Sequence, residues 1–85
     1  MKIAFIPAFI KKFNRLEISL QNEILDKTEL FKGKKNHKVL RVHKLHGDMK
    51  NNYAFSVNYK YRIIFAYLSK DEAVFLAIGD HDIYN

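Results

Sequence analysis

The chain has 85 residues, a formal net charge of +6 and no cysteine. Its length allows one small domain, residues 1–85, and its apolar fraction of 48%, with seven phenylalanines and five tyrosines, excludes an intrinsically disordered chain. The lack of cysteine excludes a disulfide framework and a thiolate metal site and is typical of a reducing compartment, so we expect a cytoplasmic protein. No apolar run approaches the roughly 18 residues that span a bilayer, so no membrane association is predicted.

A short strand and an amphipathic helix are predicted first. Residues 2–6 form a β-prone run that ends at Pro7, a residue well suited to the first turn of a helix. Phe9, Phe13 and Leu16 then recur at helical spacing, with polar and charged residues on the opposite side. Because the proline and the lysines of this helix interrupt the apolar run, we expect no secretory signal.

A second helix is predicted to begin at Ser19, whose side chain can cap it, and to end at Gly33. The two helices are then expected to form a hairpin. The residues on the apolar face of the second helix are Leu20, Ile24, Thr28 and Phe31.

The segment that follows is the most basic part of the chain. Its cations are Lys32, Lys34, Lys35, Lys38, Arg41 and Lys44. Such a cluster is typical of a solvated loop, but it also indicates a polyanionic partner, either nucleic acid or an acidic protein.

In the second half of the chain the apolar period changes from 3.6 to 2. The stretch KVLRVHKL, in which Leu40 and Val42 alternate with Arg41 and His43, predicts a strand that ends in the turn residues of HGDMKNN. Another strand with one buried face is predicted from the alternation of Tyr53, Phe55, Val57 and Tyr59 with smaller or polar residues.

The stretches YRIIFAYL and AVFLAIG are apolar on both faces and predict central strands joined by a turn at SKDE. The fold is predicted as α+β in the order β-α-α-β-β-β, with a short N-terminal strand, a helical hairpin and a three-stranded antiparallel meander; this order leaves the KVLRVHKL strand outside the meander. Residues 79–84 follow the last strand with an unusual density of polar side chains, which makes them a candidate site at the rim of the sheet.

Three stretches, LRVHKLHG, YAFSVNYKYRIIFAYL and LAIGDHDIY, together resemble the RelE/ParE superfamily of small toxins from bacterial toxin–antitoxin modules. The resemblance covers the C-terminal half of the chain and extends to the helical half only in pattern. It implies a basic toxin that a cognate antitoxin protein neutralises. In the RelE branch it further implies a metal-independent endoribonuclease that cuts mRNA in the decoding site of the ribosome.

The resemblance assigns four catalytic candidates. Arg62 matches the arginine that holds the scissile phosphate, and His43 matches a histidine of the branch that includes YafQ. His81 matches a position that is a catalytic arginine in RelE and a catalytic histidine in the YafQ branch. Tyr84 matches the terminal aromatic residue of these toxins.

One departure from the family concerns two lysines. Ala54 and Ser56 stand where RelE carries catalytic lysines, so that RNA cleavage would have to use the histidine-based version. Histidine chemistry suits this role without a metal or cofactor, because one neutral and one protonated imidazole can serve as base and acid near neutral pH. An arginine such as Arg62 can stabilise the phosphorane through two parallel hydrogen bonds.

The basic segment supplies candidates for further contacts with mRNA and ribosomal RNA. These are Lys35, Lys38, Arg41, Lys44, His46 and Lys60. No metal, cofactor or small-molecule substrate is predicted. Two alternatives remain open at this point: a ParE-like inhibitor that binds DNA gyrase and cleaves nothing, and an inactive member that only binds its antitoxin and represses its own operon.

Overall fold

Residues 1–80, which the computed structural model describes, form two helices and a five-stranded sheet of order β1-β5-β4-β3-β2. The helices are α1 (Pro7–Asn14) and α2 (Ile18–Phe31), and the strands are β1 (Lys2–Phe5), β2 (His43–Lys44), β3 (Tyr53–Ser56), β4 (Tyr61–Ser69) and β5 (Glu72–Asp80). Neither helix is long and apolar enough to cross a membrane.

The predicted α+β class and the antiparallel meander are confirmed. β3, β4 and β5 follow one another as antiparallel neighbours, and the two strands that are apolar on both faces, β4 and β5, lie inside the sheet. β1 adds a parallel edge, with Lys2 opposite Glu72 and Phe5 opposite Phe75. The sheet is therefore mixed, and its first strand in the chain pairs with its last.

The main core lies between the helices and one face of the sheet. Phe31, the last residue of α2, is fully buried and stacks on Phe55 at 4.8 Å between ring centroids. It also meets the ring edges of Phe65 and Phe75 at 4.8 and 5.4 Å. One aromatic side chain thus joins the end of α2 to β3, β4 and β5.

The bounds of α2 differ from the prediction. The helix begins at Ile18 with Glu17 as its N-cap, because the carbonyl of Glu17 already accepts the N–H of Gln21 at 2.9 Å. Ser19 therefore lies in the first turn and does not cap the helix. The helix ends before Gly33, at a cap residue with right-handed backbone angles, so that no glycine is needed to terminate it.

The predicted strand KVLRVHKL is mostly wrong, since only His43–Lys44 is a strand. Residues 38–41 form a turn instead, in which the N–H of Leu40 bonds to the carbonyl of Asn36. The buried side chain of Leu40 joins the main core from this turn. The apolar residue of this stretch is thus buried as predicted, but it lies in a turn and not in a strand.

The strand predicted through Tyr59 ends earlier, at Ser56. The side-chain oxygen of Asn58 accepts the N–H groups of Lys60 and Tyr61 at 2.9 and 2.8 Å, which folds the chain into a turn. Tyr59 is consequently 89% exposed and not part of a buried face. β3 is also buried on both faces, because Ala54 packs in a second, smaller cluster on the other side of the sheet.

Candidate functional site

The strand registers place His43 and Arg62 on the same face of the sheet, opposite to the helices. His43 pairs with Ala54, and Ser56 pairs with Arg62 two residues further along β3. Residues that pair across neighbouring strands lie on the same face of a sheet, and so do residues i and i+2 of one strand. The strand spacing and rise put the Cα atoms of His43 and Arg62 about 12 Å apart.

A cleft of about 560 Å³ opens beside Arg62, between α2, the 38–41 turn and the 57–60 turn. It has three cations and an exposed aromatic ring in its wall. The lining residues are Lys27, Val39, Leu40, Arg41, Ser56, Val57, Asn58, Tyr59 and Arg62. The N–H of Ser56 donates to the carbonyl of Leu40 at 2.8 Å, which fixes the 38–41 turn against β3.

The guanidinium of Arg62 is oriented by backbone carbonyls. Its Nη1 donates to the carbonyl of Asn58 at 2.7 Å and to that of Tyr61 at 3.1 Å, and the side chain is half-buried. No carboxylate forms a salt bridge with it among residues 1–80. Nε and Nη2 therefore keep their donors for a ligand, and this pair of nitrogens can bind two phosphate oxygens side by side.

Arg41 occupies a backbone conformation that favours glycine. Its φ of 59° is left-handed, which costs an L-residue on the order of 1–2 kcal/mol. The conformation directs the carbonyl of Arg41 to Nδ1 of His43 at 2.8 Å. The strained residue thus contributes a cation to the cleft and an acceptor to the neighbouring histidine.

The contact with Arg41 defines the tautomer of His43. A carbonyl oxygen can only accept, so the hydrogen of this bond must be on Nδ1. In the neutral ring Nε2 is then the basic nitrogen. The side chain of His43 is exposed on the helix-free face.

Other residues of the predicted site lie away from the cleft. Lys44 pairs with Tyr53 and so points to the face opposite to His43. Lys60 has its ammonium 5.4 Å from the ring centre of Tyr61 and lines a separate depression beside the start of α2. Lys35, Lys38 and His46 are exposed in the turns before and after β2.

The predictions for His81 and Tyr84 lie outside the described residues, so these two remain predictions. Within residues 1–80 no group of three or more metal-ligating side chains is found. Burial, together with the neighbouring Tyr53, raises the pKa of Tyr67, which lies five residues along β4 from Arg62 and outside the cleft.

The positions of the two missing lysines differ in kind. Ala54 is fully buried between Leu45 and Ile64, where a lysine would displace the second cluster. Ser56 is half-buried and lines the cleft beside Arg62. Ala54 therefore contributes to packing in this chain, and of the two residues only Ser56 lines the candidate site.

Sequence analysis missed Lys27 and Tyr59 as residues of the cleft. Lys27 was assigned no role, since it lies on the predicted second helix, before the basic segment begins. Tyr59 was assigned to a buried face because it continues an alternation of apolar residues. The signal that could have corrected this is Asn58, whose side chain favours a turn.

Comparison with solved structures identifies the fold. A conserved hypothetical protein from Helicobacter pylori matches with a TM-score of 0.69 and 21% identity over 96% of both chains. A chain of the archaeal RelE–RelB complex from Pyrococcus horikoshii matches with a TM-score of 0.73 and 16% identity, also over 96% of both chains. A YafQ mutant from E. coli gives a TM-score of 0.70 and 17% identity over 99% of this chain and 98% of its own.

Other solved structures with this fold include a YoeB/ParE toxin from Agrobacterium tumefaciens and a toxin–antitoxin complex from Mycobacterium tuberculosis. The chain has the same fold as these structures, which confirms at the level of the fold the resemblance found in the sequence. No protein-family model matches the chain, and no curated protein matches it.

Proposed function

We propose that this protein is the toxin of a toxin–antitoxin pair and acts as a ribosome-dependent, metal-independent mRNA endoribonuclease in the cytoplasm. The observation that carries the proposal is the arrangement of Arg62 and His43. An oriented guanidinium that lines a cleft of about 560 Å³ shares one sheet face with a histidine whose Nδ1 contacts a backbone carbonyl. The fold shared with RelE and YafQ structures supports the same reading.

In the proposed reaction the RNA supplies its own nucleophile. His43 takes the proton of the 2′-hydroxyl through Nε2, and the 2′-oxygen attacks the adjacent phosphorus. Arg62 binds two oxygens of the phosphorane, whose negative charge exceeds that of the ground state. The departing 5′-oxygen receives a proton from His81, and Tyr84 stacks on a base or assists that transfer. The product ends are a 2′,3′-cyclic phosphate and a 5′-hydroxyl.

The ribosome has a positioning role in this proposal. His43 and Arg62 lie about 12 Å apart at their Cα atoms. Within residues 1–80 the cleft beside Arg62 does not extend to His43, so the two share no wall that would hold a flexible strand in line for attack. Ribosomal RNA supplies that wall, while Lys35, Lys38, Lys44, His46 and Lys60 provide contacts to phosphates around the site.

The decisive test is expression with and without the neighbouring gene product, followed by primer extension on cellular mRNA. Growth arrest with cuts in translated mRNA is expected. Arg62→Ala and His43→Ala should each slow cleavage by about 10²–10³-fold without loss of folding. Arg15→Ala is the matched control, because Arg15 is exposed and lines a different depression. Inhibited DNA supercoiling with intact mRNA would overturn the proposal in favour of a gyrase inhibitor.

For the antitoxin we propose a groove between the two helices as the docking site. The groove holds about 190 Å³ and is almost wholly apolar, and Ile10, Leu25 and Phe5 remain 47%, 54% and 43% exposed in its wall. An amphipathic helix of an otherwise acidic chain would cover this surface and complement the net charge of +6. A complex with a second protein is also the state of the archaeal RelE chain.

The docking site is tested by Leu25→Lys. This substitution should abolish co-purification with the neighbouring gene product and leave mRNA cleavage unchanged, because Leu25 lines the groove and not the cleft, on a different side of α2 from Lys27. Ile18→Lys is the control, since Ile18 lies on the same helix, is 72% exposed and lies outside the groove. Full association of the Leu25→Lys protein would show that the antitoxin docks elsewhere.

A further inference from the structure

Tyr59 is the most exposed of the large hydrophobic side chains within residues 1–80. Its exposure is 89%, and it projects from the turn between β3 and β4 at the mouth of the cleft. An aromatic ring in this position contributes little to the core, because Phe55 and Val57 already fill the adjoining buried positions. The ring is therefore available for contact with a binding partner.

The turn holds Tyr59 in a defined place. Asn58 accepts the N–H groups of Lys60 and Tyr61 through its side chain, while its own carbonyl accepts Nη1 of Arg62 at 2.7 Å. The N–H of Val57 bonds to the carbonyl of Tyr61 at 3.0 Å and closes the turn. The residue that carries the exposed ring is therefore connected through one asparagine to the proposed phosphate ligand.

The surroundings of Tyr59 combine apolar and cationic groups. Val39, 80% exposed, lines the same cleft from the 38–41 turn, and the cations are Lys27, Arg41 and Arg62. A flat ring and an aliphatic side chain suit the faces of a nucleobase, and the cations suit the phosphates on either side of it. Within residues 1–80 none of these three cations forms a salt bridge, so their charge is available to the phosphates of a nucleic acid.

We propose that the cleft is a nucleotide subsite in which Tyr59 stacks on an RNA base next to the phosphate held by Arg62. The proposal rests on the proposed function for its choice of RNA and adds the residue that positions the substrate chain. Stacking on an aromatic ring tolerates every base, because each base has a π-face. The subsite therefore contributes affinity and placement and no sequence preference.

The test compares two fluorescent single-stranded RNAs at low salt, one of ordinary sequence and one of the same length with abasic riboses. Tyr59→Ala should weaken binding of the ordinary RNA by about 10–100-fold and leave binding of the abasic RNA unchanged. Tyr59→Phe should bind both RNAs as the wild-type protein does. Arg41→Gln should weaken both, because its contact is to phosphate.

Leu68→Ala is the matched control, because Leu68 is 60% exposed at the opposite end of β4 and lies outside the cleft. A Tyr59→Ala protein that is folded, by thermal melting, and binds both RNAs like the wild-type protein overturns the inference. This outcome does not depend on cleavage, so it is separate from the proposed function. Loss of mRNA cleavage in Arg62→Ala together with normal RNA binding by Tyr59→Ala would reject the subsite alone.

Discussion

Arg41 combines a backbone cost with two contacts at the candidate site. Glycine would adopt its φ of 59° with less strain, but glycine has no cation to direct into the cleft. The carbonyl that orients His43 belongs to the backbone and would remain after such a replacement. The side chain and the backbone of Arg41 can therefore be tested separately.

Arg41→Gly should keep or raise the melting temperature, by up to about 5 °C, because relief of the left-handed strain exceeds the entropy cost of glycine. The same variant should bind single-stranded RNA more weakly, since one of the three cations of the cleft is lost. Differential scanning calorimetry and an RNA titration measure the two effects. Arg41→Lys, which keeps both charge and strain, is the control. A lower melting temperature with unchanged RNA affinity would contradict this interpretation.

At the scale of the elements, α2 is attached to the sheet mainly through its C-terminal end. Ile24 and Thr28 lie along its buried stripe, and Phe31 completes it where the rings of three strands converge. Thr28 satisfies its buried hydroxyl within the helix by donating to the carbonyl of Ile24 at 2.7 Å. The helix can thus bury a polar side chain without a partner on the sheet.

Phe31→Ala should lower the free energy of unfolding by about 3–5 kcal/mol, because it removes a fully buried ring. A chain of this length has a total stability on the order of 4–13 kcal/mol, so the variant is expected to be close to unfolding at 37 °C. Urea titration followed by far-UV circular dichroism measures the change. Ile18→Ala, on the exposed side of the same helix, should stay within about 0.5 kcal/mol of wild type. If Phe31→Ala does not fold, Phe31→Leu gives the same ranking with a smaller loss.

The sequence pattern predicted the type of nearly every element and failed mainly at their ends. Apolar periodicity identifies which residues are buried, and Leu40 is indeed buried although it lies in a turn. Where a strand stops depends on local hydrogen bonds, such as those accepted by Asn58, which compete with the ladder of the sheet. The period of apolar residues alone does not show these hydrogen bonds. For this reason Tyr59 was predicted on a buried strand face, although it lies exposed in a turn.

For the molecule as a whole, the candidate site depends on the register of strands that are distant in sequence. Arg62 and His43 share a face only because β3 lies between their strands and pairs Ala54 with His43 and Ser56 with Arg62. The family resemblance could select these residues, but composition and spacing could not show that Lys27 of the second helix lines the same cleft as Arg62. A cleft lined by residues that are distant in sequence cannot be recognised from the order of residues along the chain.

The net charge of +6 predicts that RNA binding weakens with salt, and the cleft predicts which charges matter most. For single strands the slope of log affinity against log salt changes by about 0.7 for each phosphate contact. Arg41→Gln should flatten the slope by that amount. Lys70→Gln removes the same charge from the β4–β5 turn, outside the cleft, and should leave the slope nearly unchanged. Equal slopes for the two variants would mean that only the overall charge attracts RNA.

The parallel pairing of β1 with β5 has a consequence for the order of events during synthesis. Lys2 can pair with Glu72 only after Glu72 has been synthesised. The first strand and the hydrophobic faces of both helices therefore cannot pack until almost the entire sheet has been synthesised. Contacts of such long sequence separation form late and slowly. The bond between Arg62 and the 57–60 turn likewise requires most of the chain to have left the ribosome. A nascent chain therefore lacks the cleft, and the cell that translates this protein has an interval in which the helices are exposed before the cleft exists.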